Sequence, residues 1–486
     1  MDLLPRFPVV GFALAAVVGF AFACTESDPA PAAPLPAAST PPAPTSQPTT
    51  QPTSPVVASD AGPPVDAAAD APPPTGPLTK RLGWPATTPS SIAKDFVGNV
   101  YIAGITRDDI DGAHAGNGDA FVAKINGGSL NVLWAKRMGT PGPEGSTTSR
   151  AHVAVGPTGN VFLAFTTRGS FAGADGGGEE RVVLQSYNSS GAVRAGFPVE
   201  VVNPRGAGQG TMNLAVDIQD NVWLLANSGD RSLGKTVAFR AFVHGYTGDG
   251  LQRFAPVDVS GTMAAADEDH FAGSLRLPDN TTSTGSPGDL FVMVGSRYAS
   301  GSGPRRGLVS SLTTAGVPRI AEAGLVWPIE LTTGAADAFP SSLSVDPTGN
   351  VFVLGTTGAA TSTVWSFTES GANRAGFPLT VTLPSAPDTR VLVHAGDVTG
   401  NLYFLGESSG DLGPTKVGAR DLVVTAVNPS GTSRGGYPVQ FGSAGNDVPS
   451  ALVIDLVGRG FATGVLDDDA DTSEGRDVFV HRFPSN

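Results

Sequence analysis

Beyond residue 77 the chain is written in short apolar runs, among them VYIAGIT (100–106), VFLAFTT (161–167), VWLLANS (222–228) and LYFLGES (402–408), bounded by Gly, Pro, Asn or Asp. Such runs are too short for amphipathic helices and rich in β-branched and aromatic residues, so they read as strands covered on both faces. Most of them follow one phrase, Asp-x-x-Gly-Asn. It stands in AKDFVGNVYIAGIT (93–106), SVDPTGNVFVLGTT (344–357) and AGDVTGNLYFLGES (395–408), and with changes in AVGPTGNVFLAFTT (154–167), AVDIQDNVWLLANS (215–228) and VIDLVGRGFATGVL (453–466). A further copy, GDLFVMVGS (288–296), has lost the turn and follows the insertion RLPDNTTSTGSPGD (276–289). Copies spaced about 50 to 70 residues apart mark a stacked-repeat architecture.

Each copy leads into a second apolar strand ending in a Gly turn, as in DAFVAKINGG (119–128) and RDLVVTAVNPSG (420–431). A third strand follows with an arginine and an aromatic-Pro step: VRAGFPVEVV (193–202), NRAGFPLTV (373–381), SRGGYPVQF (433–441). With the strand ahead of the Asp turn, the unit has four antiparallel strands, and seven such units arranged radially make a seven-bladed, all-β propeller. The last unit ends in RDVFVHRFPSN (476–486) without an outer strand, while LTKRLGWPA (78–86) matches the outer strand LWAKRMGTPG (133–142). The N-terminal segment is therefore expected to complete blade seven and leave no open edge. In the repeated turn, Asp95, Asp217, Asp346, Asp397 and Asp455 are expected to bond the backbone of their own hairpin, with Gly at the position of positive φ. Trp84, Trp134, Trp223, Trp327 and Trp365 are placed in strands as blade packing, and Tyr298 on a loop is the candidate aromatic contact for a glycan or peptide.

Composition agrees with many turns and few helices: 63 Gly, 41 Pro and only 15% charged residues. A formal charge of -14 argues against a nucleic-acid partner, whose phosphates need a basic footprint. The first 23 residues read as an export signal, with one arginine ahead of the apolar stretch FPVVGFALAAVVGFAFA. From residue 24 to 77 the chain is Pro-, Ala- and Thr-rich, without aromatics, and is expected to be an extended, unfolded linker to the propeller at 78–486. The single cysteine, Cys24, excludes an intrachain disulfide.

The ending AFAC resembles the lipobox of bacterial lipoproteins, which implies lipid attachment at Cys24, and Thr25 after it implies, by the same resemblance, sorting to the outer membrane or cell surface. Residues 78–486 resemble bacterial cell-surface β-propeller repeat proteins of the SBBP type, whose unit runs Asp-x-x-Gly-Asn-aromatic-x-x-Gly-x-Thr and then Asp-Ala-Phe-Val-x-Lys; blade one carries it best in DFVGNVYIAGIT and DAFVAKI. That resemblance implies an extracytoplasmic propeller and brings no catalytic residues with it.

Function is expected on the face that carries the long loops between strands two and three and between blades. Asp108, Asp109 and Asp111 of blade one and Asp467, Asp468, Asp469 and Asp471 of blade seven fall there, on blades that ring closure makes neighbours; carboxylates at this density suit Ca²⁺, the one cofactor candidate, against the alternative of solvated loops. His114 and His270 fall on the same side, and His152 and His394 on inner strands beside the central channel. No zinc, nucleophile-elbow, P-loop or dinucleotide pattern accompanies them. The sequence thus favours a monomeric, membrane-anchored module that binds an envelope protein or glycan; the alternative is a lyase or hydrolase acting on a polysaccharide or small ester at the channel.

Overall fold

A computed structural model describes residues 77–484 apart from 114, 117, 141–149, 170–179, 203, 205–207, 230–238, 261–267, 278–289, 299–305, 320–326, 332–337, 358–360, 382–389, 413–415, 457 and 470–474. The described strands form seven sheets of four, each antiparallel. Six blades take their strands in simple chain order. The innermost strands are Thr87–Lys94, His152–Val155, Gly208–Val216, Glu268–Arg276, Ala338–Val345, Arg390–Gly396 and Val448–Ile454, each packed beside the next, and the seventh beside the first. Blade seven is completed as expected: Leu78–Arg81 pairs with Arg476–Pro484 in the register Leu78 to Arg482 and Arg81 to Phe479. Asp477 fixes the junction by accepting hydrogen bonds from the backbone N–H groups of Gly83 and Trp84 at 3.0 and 2.8 Å.

The unbroken apolar runs follow from this geometry. Successive side chains of a strand point to opposite faces, and here each face meets another blade. In the second strand of blade one, Tyr101 and Ala103 join the core shared with blade two, while Val100 and Ile102 join the core shared with blade seven. Seven apolar clusters result, one per blade interface. All five tryptophans pack into them, although Trp84 and Trp327 lie just outside the strands rather than in them. The aromatic-Pro steps at Phe197–Pro198, Trp327–Pro328, Phe377–Pro378 and Tyr437–Pro438 are cis. The arginine ahead of three of them stacks on blade aromatics, Arg194 on Phe162 and Phe197, Arg374 on Phe352 and Phe377, and Arg434 on Tyr403.

The Asp turn is scaffold. Asp346 accepts from the N–H groups of Thr348 and Asn350 with one carboxylate oxygen and from the Asn350 side-chain amide with the other, all at 2.8 to 2.9 Å. Asp95, Asp217 and Asp397 repeat the pattern with Asn99, Asn221 and Asn401. Gly98, Gly349, Gly400 and Gly458 take the positive φ. Burial alone would raise the Asp397 carboxyl, but the donors of Asn401 and Thr399 outweigh it and hold the group below its usual value.

Candidate functional site

The inner strands enclose a central channel of about 350 Å³. Their shape is set by a bulge shared by six blades, as between Pro89 and Ser91, Pro340 and Ser342, and Pro449 and Ala451. A bulge bends a strand and re-aims its side chains, and it tolerates proline because one ladder bond is already missing. The second glycine of the repeat lies opposite it: a Cβ on Gly104 would come within 2.1 Å of the Thr88 carbonyl, and one on Gly464 within 2.1 Å of the Val448 carbonyl.

Register divides the channel wall into layers. Opposite the third residue of each second strand's apolar run stand Ile92, Val153, Leu214, Leu275, Leu343, His394 and Leu452. One residue earlier come Ser91, His152, Asn213, Ser274, Ser342, Val393 and Ala451, and one residue later Ala93, Ala154, Ala215, Arg276, Ser344, Ala395 and Val453. Adjacent inner strands do not share a sheet, so serines staple them instead. The Ser91 hydroxyl accepts from Val153 N–H at 3.2 Å, and Ser342 bridges both the N–H and the carbonyl of His394 at 3.4 and 3.3 Å.

His394 is the only polar residue in the apolar layer. Its Nε2 is 2.8 Å from the Ser344 hydroxyl of the neighbouring blade, its ring stacks on Phe404, and it is buried. Burial, with Arg276 adding to it, pushes the imidazole down to about 3. His152 is pushed down to about 3 by burial and then by Arg150 and Arg276, yet it makes no hydrogen bond to the described residues. The backbone of His270 pairs with Ser296 in blade four; His114 lies outside the described residues. Arg276 is the one large cation in a layer otherwise made of Ala, Ser and Val. Its Nη1 donates to Asn213 Oδ1 at 3.0 Å and to the Leu275 carbonyl at 2.8 Å, and burial lowers its pKa below the usual guanidinium value. The sequence shows Arg276 only as the first residue of the blade-four insertion; the Ala that stands at that place in four other blades is the signal that could have singled it out.

The acidic loops are occupied by local partners. Asp108 accepts from Ala86 N–H at 2.9 Å and from the Thr87 hydroxyl at 2.7 Å, Asp111 pairs with Lys136 at 2.9 Å, Asp468 with Arg81 at 2.5 Å, and Asp467 with Arg476 at 3.7 Å. Asp469 N–H donates to Asp467 at 3.2 Å, and Asp109 also has a partner. Among the described residues no group of three or more His, Cys, Asp or Glu side chains is placed to hold a metal ion; Asp471 and Cys24 lie outside them. Three buried acids organise this face: Asp119 and Asp421, at the head of their third strands, where the sequence shows them only as the start of DAFVAKI and DLVVTAV, and Asp447, which no repeated phrase marks. Asp119 pairs with Arg137 at 2.8 Å, and Asp421 caps the backbone N–H groups of Val417 and Gly418 at 2.9 Å. Burial, helped by the nearby Asp421 carboxylate, raises Asp447 above its usual value despite the donors of Ser443 and Asp467.

No protein-family model and no curated protein matches the chain. Solved structures do. A polysaccharide lyase of family PL25, an ulvan lyase, aligns with a TM-score of 0.50 at 12% identity over 82% of this chain and 95% of its own. A catalytically inactive virginiamycin B lyase from Staphylococcus aureus with quinupristin aligns with a TM-score of 0.46 at 12% identity over 83% and 98%. At this identity the likeness is one of fold: the chain is a seven-bladed β-propeller built on a ring that lyases and other proteins share.

Proposed function

We propose that the chain is an extracytoplasmic binding propeller of the SBBP type, lipid-anchored through Cys24, that recognises an envelope protein or glycan with its long-loop face. The observation that supports binding over turnover is that the candidate acid-base groups are already engaged in holding the ring. His394 serves Ser344, and Asp108, Asp111, Asp467 and Asp468 each serve a loop or strand partner. A general base works best with a pKa near the operating pH, and the two described channel histidines are pushed down to about 3. The lyase or hydrolase reading keeps His152 as its support, because that ring opens to the channel without a hydrogen bond to the described residues.

In-cell crosslinking of the whole protein, compared with forms in which 107–118 or 466–475 is replaced by a short Gly-Ser loop, tests the proposal. A specific adduct that is lost with the loops and kept in His152→Ala supports it. An activity on envelope polysaccharide that disappears in His152→Ala overturns it in favour of an enzyme. Cys24→Ala should leave the membrane fraction; retention there refutes the lipid anchor.

A further inference from the structure

The lining of the central channel is cationic in a protein that is strongly acidic. Lys94, Arg150 and Arg276 line it, and no carboxylate does among its described residues, although the chain as a whole carries a formal charge of -14. Arg276 is half-buried in the wall, at the end of the inner strand of blade four, where blades one, two, three and six have alanine. A cation held away from bulk water without a counter-charge is costly. Arg276 has no ion pair with the described residues, and its only fixed bonds hold one nitrogen, Nη1, between Asn213 Oδ1 and the Leu275 carbonyl. Those two bonds orient the guanidinium and leave Nε and Nη2 as donors. Around it the wall offers further hydrogen-bonding groups: the ring of His152, the hydroxyl of Ser274 in the same strand, and the Arg150 side chain, which is exposed to the channel.

We infer that the channel is a binding site for a small oxyanion, a carboxylate, sulfate or phosphate group, seated on the Arg276 guanidinium and flanked by Arg150 and His152. A guanidinium offers two parallel N–H donors to two oxygens of such a group, which gives orientation as well as affinity. The volume of about 350 Å³ takes a free anion with its waters or the charged end of a larger molecule entering along the axis. Asn213 positions the arginine and does not touch the ligand.

The site is tested on the full chain with sodium sulfate, sodium phosphate and sodium acetate as probes, titrated against sodium chloride at constant ionic strength. Calorimetry and the melting temperature report binding. The wild-type protein should show saturable binding of at least one oxyanion, with a rise in Tm that chloride does not give, and the preferred probe identifies the group. Arg276→Ala places at this position the residue that four other blades carry, so the ring is expected to fold. It should lose roughly tenfold or more in affinity, the scale of a hydrogen bond to a charged group. Arg150→Gln should weaken binding less. Absence of saturable binding in the wild-type protein, or equal binding by Arg276→Ala, overturns the inference. Should Arg276→Ala fail to fold, Arg276→Lys replaces it: a lysine keeps the charge but not the two parallel donors, so undiminished affinity for all three probes would equally overturn it. The probes are free anions, whereas partner binding is read by loop-dependent crosslinking, so this outcome leaves the proposed partner binding to its own test.

Discussion

His394 shows what a single polar residue does in a ring built of apolar layers. Six blades fill its position with Ile, Val or Leu, and the seventh fills it with an imidazole that needs the Ser344 hydroxyl of its neighbour. The two polar residues answer each other, so removing one strands the other in a low-dielectric interior. His394→Leu or Ser344→Ala alone should lower stability by about 1–3 kcal/mol. The double change, which restores the apolar layer, should recover most of that loss in a denaturant titration. Acid should act at His394 and at other buried histidines. Burial pushes His244 down to about 4 and His394 and His481 down to about 3, from an ordinary value of 6.5. Below pH 6.5 the unfolded chain therefore takes up protons that the folded one refuses. Stability falls as pH drops from about 6.5 towards 4, by up to about 1.4 kcal/mol per pH unit for each histidine. Melting temperatures between pH 7 and 4 should fall less steeply in the double variant than in the wild-type protein.

At the scale of the element, the repeated turn contains two departures that cancel. Blade two has Gly156 where the turn needs Asp, and blade three has Asp220 where it needs Gly, held at a φ of 60°. The Asp220 carboxylate reaches across the blade interface and accepts from the Thr158 hydroxyl and, at 2.8 Å, from the Asn160 amide, the bonds an aspartate at 156 would have made. A Cβ on Gly156 would lie 1.8 Å from Asp220 Oδ1, so the two positions compete for one space. Gly156→Asp alone should destabilise by clash and like-charge contact, and Asp220→Gly alone by leaving Thr158 and Asn160 without their acceptor. Together they rebuild the common turn. The double-mutant cycle should show a coupling of about 1–3 kcal/mol, and additive single effects would refute the exchange.

At the scale of the molecule, closure rests on one four-residue strand. Deleting 78–81 would expose the edge of Arg476–Pro484 and uncover Val478 and Val480 in the interface between blades seven and one. The expected outcome is a large loss of stability and a tendency to associate through the open edge, seen by thermal melting and gel filtration. Seven copies of one strand unit, six of them keeping the turn phrase, made the ring and this closure readable from the chain, because turn chemistry and strand burial repeat with the blade. The channel was less readable. Its lining comes from residues about one repeat apart, and the pairings that matter, Ser344 with His394 and Arg276 with Asn213, join neighbouring blades at positions that the repeated phrase does not mark. The acidic loops were visible as composition, but composition does not say whether a carboxylate waits for a cation or, like Asp108, already caps its own loop.

Closure by Leu78–Arg81 also puts the first strand and the last into one blade, and that sets an order in time. A chain that emerges from its N-terminus presents this strand before any other of the described strands, yet its partner is the last of them to appear. Through the whole interval it has to remain single, beside successive half-built sheets with unpaired edges of their own. Its Lys80 and Arg81 suit that wait, since charge on a bare strand discourages wrong pairing. Six blades can settle as they arrive; the seventh makes the ring a decision of the complete chain.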